Sequence, residues 1–269
     1  MTENLGISIS RKYSVFCEGV DVVVQPRVSV CLASHNGEKY IYQQLTSILN
    51  QLAENDELII SDDSSTDSTI QIINSFKDNR IKVYTDNNFY STIFNFENAL
   101  KKASGEIIFL SDQDDIWEDN KVEIISKLLK KYDLVVSDCI IIDGEGRVTN
   151  DSFFKIRNSG IGILRNIYKN TYLGCCMAFN KNMLKYALPF PKYIPMHDMW
   201  IGIISELYGQ SYFCNDKLIK YRRHENNVTP NVVKSSYGLI KQIYFRMQLM
   251  YSILKNRITV SLYGKHDNV

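Results

Sequence analysis

The feature that most constrains the fold is an alternation in the first half of the chain. Short runs of contiguous apolar residues trade places with stretches of helical periodicity. The order is Val28 to Ala33 (VSVCLA), a helical Tyr40 to Gln51, Leu58 to Ser61, a helical Thr69 to Phe76, and Lys82 to Thr85. A helical Phe94 to Ala103, Glu106 to Leu110, a helical Asn120 to Lys131 and Leu134 to Ser137 follow. Strands that are apolar throughout need cover on both faces. The pattern therefore predicts an α/β fold with a Rossmann-like, mostly parallel central sheet and flanking helices. At 269 residues and 45% hydrophobic content, the chain is long enough to bury such a core.

Open α/β sheets bind ligands beyond the carboxyl ends of their strands. Those ends carry Ser34-His35-Asn36-Gly37, then Asp62-Asp63-Ser64-Ser65-Thr66-Asp67, then Ser111-Asp112-Gln113-Asp114-Asp115. Mere connectors have no need of so many ionisable groups. Lys+Arg 31 against Asp+Glu 30 leaves a net +1, so no global field attracts nucleic acid and the relevant electrostatics are local.

Crowded carboxylates raise one another's pKa unless a cation or hydrogen bonds offset the charge. Asp112 and Asp114, two residues apart, suit a hard cation such as Mg²⁺ or Mn²⁺ whose remaining positions are filled by water and phosphate oxygens. The competing reading is a solvated turn in which one Asp caps the following helix. In SDDSSTDST capping accounts for one residue of the set, and a strand-end carboxylate can also accept hydrogen bonds from a nucleobase or ribose. Asp198 opens a helical stretch that runs to Tyr208, so N-capping is again the alternative to chemistry.

In the second half Tyr172 to Phe179 and Ser211 to Cys214 read as strands, Lys217 to Arg223 as extended, and Asn226 to Ser236 as a loop. Leu239 to Leu262 reads as an amphipathic helical tail with Lys241, Arg246, Lys255 and Arg257 set among apolar residues; it suits contact with a membrane, packing on the α/β body or pairing with another subunit. The expected division is an unassigned extension 1–27, a catalytic domain 28–230 with halves 28–138 and 139–230, and a tail 231–269. Six cysteines without CxxC spacing point to a reducing compartment. The N-terminus lacks a signal-peptide pattern and no apolar run is long enough to span a bilayer, so a cytoplasmic protein is expected. Gly160-Ile161-Gly162 lacks the third glycine of a dinucleotide fingerprint.

The ordered set SVCLASHNGEKYI, IISDDSSTDST, NFENALKKASGEIIFLSDQDDIW, LGCCMAFNKNML, HDMW and YRRHENN resembles the family 2 glycosyltransferases of GT-A fold. The likeness is to the bacterial branch of rhamnosyl- and glucosyltransferases in surface-polysaccharide assembly, and it covers about residues 27 to 230. The resemblance implies that Asp63, Ala33 and His35 line the donor-nucleotide pocket, with Asp112 and Arg222 on the diphosphate. It places a metal on Asp114, Asp112 and His224, and a catalytic base at Asp198. Two departures stand out: His35 occupies a position that is usually Tyr, and Asp86-Asn87-Asn88-Phe89 replaces a common glycine. The implied activity is inverting, metal-dependent transfer from a UDP- or dTDP-sugar to a glycan acceptor, a lipid-linked O-antigen or capsule repeat unit on a polyprenyl diphosphate. Peripheral contact at the inner face of a bacterial membrane goes with it, and nucleic acid does not. The rival readings are a sugar nucleotidyltransferase and a non-catalytic glycan-binding module of similar fold.

Overall fold

The computed structural model describes residues 14–17, 20–23, 27–85, 87–225 and 238–264. Strands β1 (Ser14–Cys17) and β2 (Val20–Val23) form an antiparallel pair within the extension that the sequence leaves unassigned. Then come β3 (Val28–Ser34), α1 (Ile41–Leu49), β4 (Glu57–Asp62), α2 (Thr69–Ser75), β5 (Ile81–Tyr84), α3 (Thr92–Lys102) and β6 (Ile107–Asp112). All seven residues of β3 and all six of β4 are buried, as strands covered on both faces require. Helix α1 buries Ile41, Leu45, Ile48 and Leu49, a spacing that keeps one helical face against the sheet.

The chain continues through β7 (Ile116–Trp117), α4 (Lys121–Leu128), β8 (Leu134–Ile142), β9 (Val148–Asn150), α5 (Phe153–Arg157) and α6 (Ile163–Tyr168). β10 (Met177–Asn180), α7 (Leu184–Ala187), α8 (His197–Tyr208), β11 (Ser211–Arg222) and α9 (Leu239–Tyr263) complete it. The large sheet runs β5-β4-β3-β6-β10-β8-β11-β7, with β9 beside β8. The expected parallel arrangement holds from β5 to β6. Beyond β6 the sheet is mixed: β10 is antiparallel to both β6 and β8, β11 is parallel to β8, and β7 is antiparallel to β11.

Three expectations change. Tyr172 to Phe179 is not one strand: Gly174–Cys176 form a 3-10 turn and only Met177–Asn180 pair in the sheet. Ser211 to Cys214 and Lys217 to Arg223 merge into the single strand β11, which passes two register shifts between Cys214 and Lys220. Strand β8 extends well past Ser137, because its polar Ser137 and Asp138 are buried between β10 and β11 rather than ending the strand. The expected loop Asn226 to Ser236 lies outside the described residues. Among the described residues no helix is long and apolar enough to cross a membrane.

Candidate active site

The carboxyl ends of β3, β4 and β6 meet at one edge, where Ala33 sits in register between Ser61 and Asp112. Each carboxylate of the β4 loop holds a piece of backbone. Asp62 accepts from the Ser34 and Ser65 hydroxyls at 2.7 and 2.6 Å, and Asp67 accepts from the Thr69 and Glu38 N–H groups at 3.0 and 3.1 Å. Asp63 is nearly buried and accepts from the N–H groups of Phe89 and Ser91 at 2.7 and 3.1 Å. The segment that lacks the usual glycine is therefore organised by Asp63 itself, and two carboxylate oxygens retain lone pairs for a further donor. His35 is exposed at the rim, with Nδ1 2.6 Å from the Asp63 carbonyl oxygen.

Gln113 ties this pocket to the acidic segment. Its side chain accepts from the His35 N–H and donates to the His35 carbonyl, both at 2.9 Å. A Cβ on Gly37 would stand 2.4 Å from Gln113 Oε1, so a side chain there would push aside the amide that clamps His35. From beneath, the buried Gln44 amide donates to the Ser111 hydroxyl at 2.7 Å and the Asp112 carbonyl at 3.0 Å.

The acidic segment is not a solvated turn. Asp115 is fully buried and Asp114 nearly so, and the N-cap position of helix α4 is held by Asn120, so none of these acids caps it. Asp115 Oδ1 accepts from the Arg222 N–H at 2.9 Å, and the Arg222 Nε donates to the Asp114 carbonyl at 2.8 Å. His224 Nε2 lies 2.8 Å from Asp114 Oδ2. Burial, followed by the charges of Asp114 and Asp198, pushes the Asp112 carboxyl up to about 8. Burial also drives Asp115 far above the carboxylate range, with Asp114 and Asp112 adding to it. One ligand atom each from Asp112, Asp115 and Cys175 lie within 4.8 Å of one another. The fully buried Lys121 donates to the Cys175 carbonyl at 2.8 Å and lies 3.9 Å from the Trp117 ring centroid, and burial pulls it down to about 8.

This donor set fits a divalent cation. Like charge crowds at Asp112, Asp114 and Asp198, and a part-buried imidazole faces one of these oxygens. The ligand atoms brought together are those of Asp112, Asp115 and Cys175, whereas Asp114 and His224, which the sequence also puts on the metal, are paired with each other; the two carboxylates of the group suit a hard cation and the thiol does not.

Asp198 lies in the first turn of α8 and is buried, which lifts its carboxyl to about 6. Its Oδ1 accepts from the Asn170 amide at 3.3 Å and from the Met199 N–H. Asn170 is held in turn by Arg157, whose guanidinium donates to its carbonyl, and the Arg157 charge draws Asp198 part of the way back down. Neighbouring His197 is buried, stacked on Phe96 with ring centroids 4.0 Å apart, and lowered by burial to about 3, so it stays neutral. Trp200 is fully buried and its Nε1 donates to the Ala187 carbonyl at 2.8 Å, which removes it as a platform for a sugar.

Of the residues expected from sequence, Ala33, His35 and Asp63 gather at the β3 and β4 ends, and Asp112, Asp114 and His224 at the β6 end. Asp198 is close enough to Asp112 for its charge to be felt there. Arg222 is placed differently from a rim residue. It is 3% exposed and directed inward, with Nε on the Asp114 carbonyl, a terminal nitrogen on Gln43 Oε1 at 2.9 Å and the guanidinium 4.6 Å from the Tyr40 ring centroid. Gln113, Gln44, Asn170 and Arg157 escaped sequence reasoning. Only the Gln113 position, between two acids, carried a local signal.

Residues 29–188 match the family described as Glycosyl transferase family 2. The chain is 29% identical over 218 residues to the UDP-Glc:alpha-D-GlcNAc-diphosphoundecaprenol beta-1,3-glucosyltransferase WfgD of Escherichia coli, covering 77% of this chain and 81% of that one. It is 25% identical to the GalNAc(5)-diNAcBac-PP-undecaprenol beta-1,3-glucosyltransferase of Campylobacter jejuni, covering 88% and 76%. The fold matches S. aureus TarS 1-349 in complex with UDP at a TM-score of 0.64 and 21% identity, covering 88% of this chain and 67% of that one. A mannosyltransferase from Pyrobaculum calidifontis in complex with GDP-Man and Mn²⁺ matches at 0.59 and 16% identity, covering 90% and 71%. Strand-end loops, acidic segment and matches converge on one conclusion: the chain is a glycosyltransferase of family 2, built on the GT-A fold.

Proposed function

We propose that the protein is an inverting, metal-dependent enzyme that moves a sugar from a UDP- or dTDP-sugar to a glycan on a polyprenyl diphosphate. The product is an O-antigen or capsule repeat unit, assembled at the inner face of a bacterial membrane. The observation that carries this reading is Asp198: a buried carboxyl raised to about 6, oriented by Asn170 and adjoining the Asp112–Asp114 cluster. Names of relatives add the donor and acceptor class, since WfgD is named for UDP-Glc and a diphosphoundecaprenol acceptor.

Each residue then has a task. Asp63 accepts from the nucleobase, with Ala33 and His35 lining the pocket. Asp112, Asp114 and His224 would hold a divalent cation, which when bound would offset the charge that builds on the leaving diphosphate. Arg222 braces the Asp114–Asp115 backbone and brings positive charge to the same side. Asp198 takes the proton of the acceptor hydroxyl as its oxygen bonds to the anomeric carbon, and the electron pair of the breaking C–O bond leaves with the diphosphate. Attack from the face opposite the leaving group inverts the anomeric centre.

Calorimetry with UDP and dTDP, with and without Mn²⁺, tests this in wild type and Asp114→Ala. Mn²⁺-dependent binding that the variant loses is expected. Binding of neither nucleotide overturns the reading, and pyrophosphate release from a nucleoside triphosphate and a sugar phosphate would replace it with a nucleotidyltransferase.

A further inference from the structure

Helix α9 has two apolar faces. Leu249 and Ile253 are buried against the body, and on the same side Asn256 donates to the Tyr186 carbonyl at 2.7 Å and accepts from the Tyr208 hydroxyl at 3.0 Å. The opposite face carries Ile240, Ile243, Met247, Met250, Leu254 and Ile258, between 48% and 86% exposed and spaced three or four residues apart. At 1.5 Å per residue this stripe is about 27 Å long. An exposed apolar surface of that extent marks an interaction site.

The charges along it select the occupant. Lys241 and Lys255 lie along one flank and Arg257 along the other, and the 25-residue helix contains no Asp or Glu. A second copy pressed face to face on this stripe would bring cations against cations with no acidic partner on either helix. An anionic lipid surface accepts both features, with the apolar stripe among the acyl chains and the flanking cations at the phosphates.

The surface also continues toward the site. At the border between the two faces, Arg246 donates to the Tyr168 and Ile167 carbonyls at 2.7 and 3.3 Å, which fastens the end of α6 alongside α9. Leu164 and Tyr168 of α6 are themselves 82% and 75% exposed. Two residues after Tyr168, Asn170 donates to Asp198.

We infer that the exposed faces of α9 and α6 form one docking surface for an anionic bilayer, and that docking presents the Asp198 side of the site to acceptors held in that bilayer. The second clause rests on the function proposed above; the first does not.

The test is co-sedimentation of the full chain with vesicles of equal parts phosphatidylglycerol and phosphatidylcholine, against phosphatidylcholine alone. Wild type is expected to bind the anionic vesicles at least about tenfold better, with binding weakened by salt. Met247→Glu with Leu254→Glu is expected to abolish binding, and Lys255→Glu with Arg257→Glu to reduce it about tenfold or more, while UDP affinity and thermal midpoint stay at wild-type values. No binding by wild type, or equal binding by the Met247/Leu254 variant, overturns the inference. So does a concentration-dependent dimer that the Met247/Leu254 variant disrupts without any vesicle binding, which would assign the face to a second copy. Vesicle binding with binding of neither UDP nor dTDP would sink the proposed function and leave the docking surface standing; binding of either nucleotide without vesicle binding would do the reverse.

Discussion

At the scale of single residues, burial holds Asp112, Asp115 and Asp198 above the ordinary carboxylate range. A general base works only when deprotonated, so turnover is expected to fall as pH drops through about 6, the value to which burial lifts Asp198. A rate profile with no acid limb between pH 5 and 7 would count against Asp198 as the base. Asp198→Asn should lower kcat by about 10²–10⁴-fold while UDP affinity is kept, a split that separates chemistry from binding. Asp112 bears on stability. Its folded-state pKa of about 8 lies above the ordinary 3.8, so the folded protein binds the extra proton and the site loses stability as pH rises between those values. Asp112→Asn is therefore expected to raise the thermal midpoint at pH 8 relative to wild type, by more than at pH 4, while impairing turnover. Equal shifts at both pH values would show that Asp112 carries no such strain.

At the scale of elements, the site depends on how closely neighbouring pieces approach. A Cβ on Gly174 would meet His197 Nε2 at 2.8 Å and Asp198 Cβ at 3.7 Å. Gly174→Ala is expected to push the start of α8 aside, cost about 1–3 kcal/mol of stability, and reduce kcat with little change in UDP affinity. If kcat survives, the 3-10 turn does not set the position of Asp198. This dependence also explains what could be read from sequence. From β3 to α4 the strands and helices other than the two-residue β7 are legible, because most are apolar throughout or apolar on one helical face, whereas β1 and β2 fall in the extension that the sequence leaves unassigned. The strand-end clusters are legible too, since topology sends those ends to one edge. The break at Gly174–Cys176 was hidden because its residues are as apolar as the strand that follows. Asn170 and Arg157 were hidden for another reason: neither belongs to a patterned stretch, and their contact with Asp198 exists only once α5, α6 and α8 have packed. Arg222 lies against the Asp114 carbonyl, and nothing in YRRHENN tells that its guanidinium turns inward.

At the scale of the whole molecule, a chain with a net charge of +1 concentrates its electrostatic work in one place. A cation entering that place competes with the proton on Asp112, so Mn²⁺–UDP binding at pH 7 is expected to release protons and to tighten as pH rises toward 8. Calorimetry in two buffers of different ionisation enthalpy reads this directly, and identical apparent enthalpies would mean that no proton leaves. The topology adds a consequence for how the protein comes into being. The acidic segment leaves the middle of the sheet after β6 and joins its far edge, where β7 pairs with β11 and the Arg222 N–H reaches Asp115, 107 residues further along the chain. Contacts this distant in sequence close slowly. The Arg222 N–H that Asp115 accepts from is supplied only once β11 has docked, so the buried acid depends on a strand that the chain delivers long after β6. A chain that ended before β11 would lack the partner that holds Asp115, and with it the burial that sets the acidic segment apart from a solvated turn.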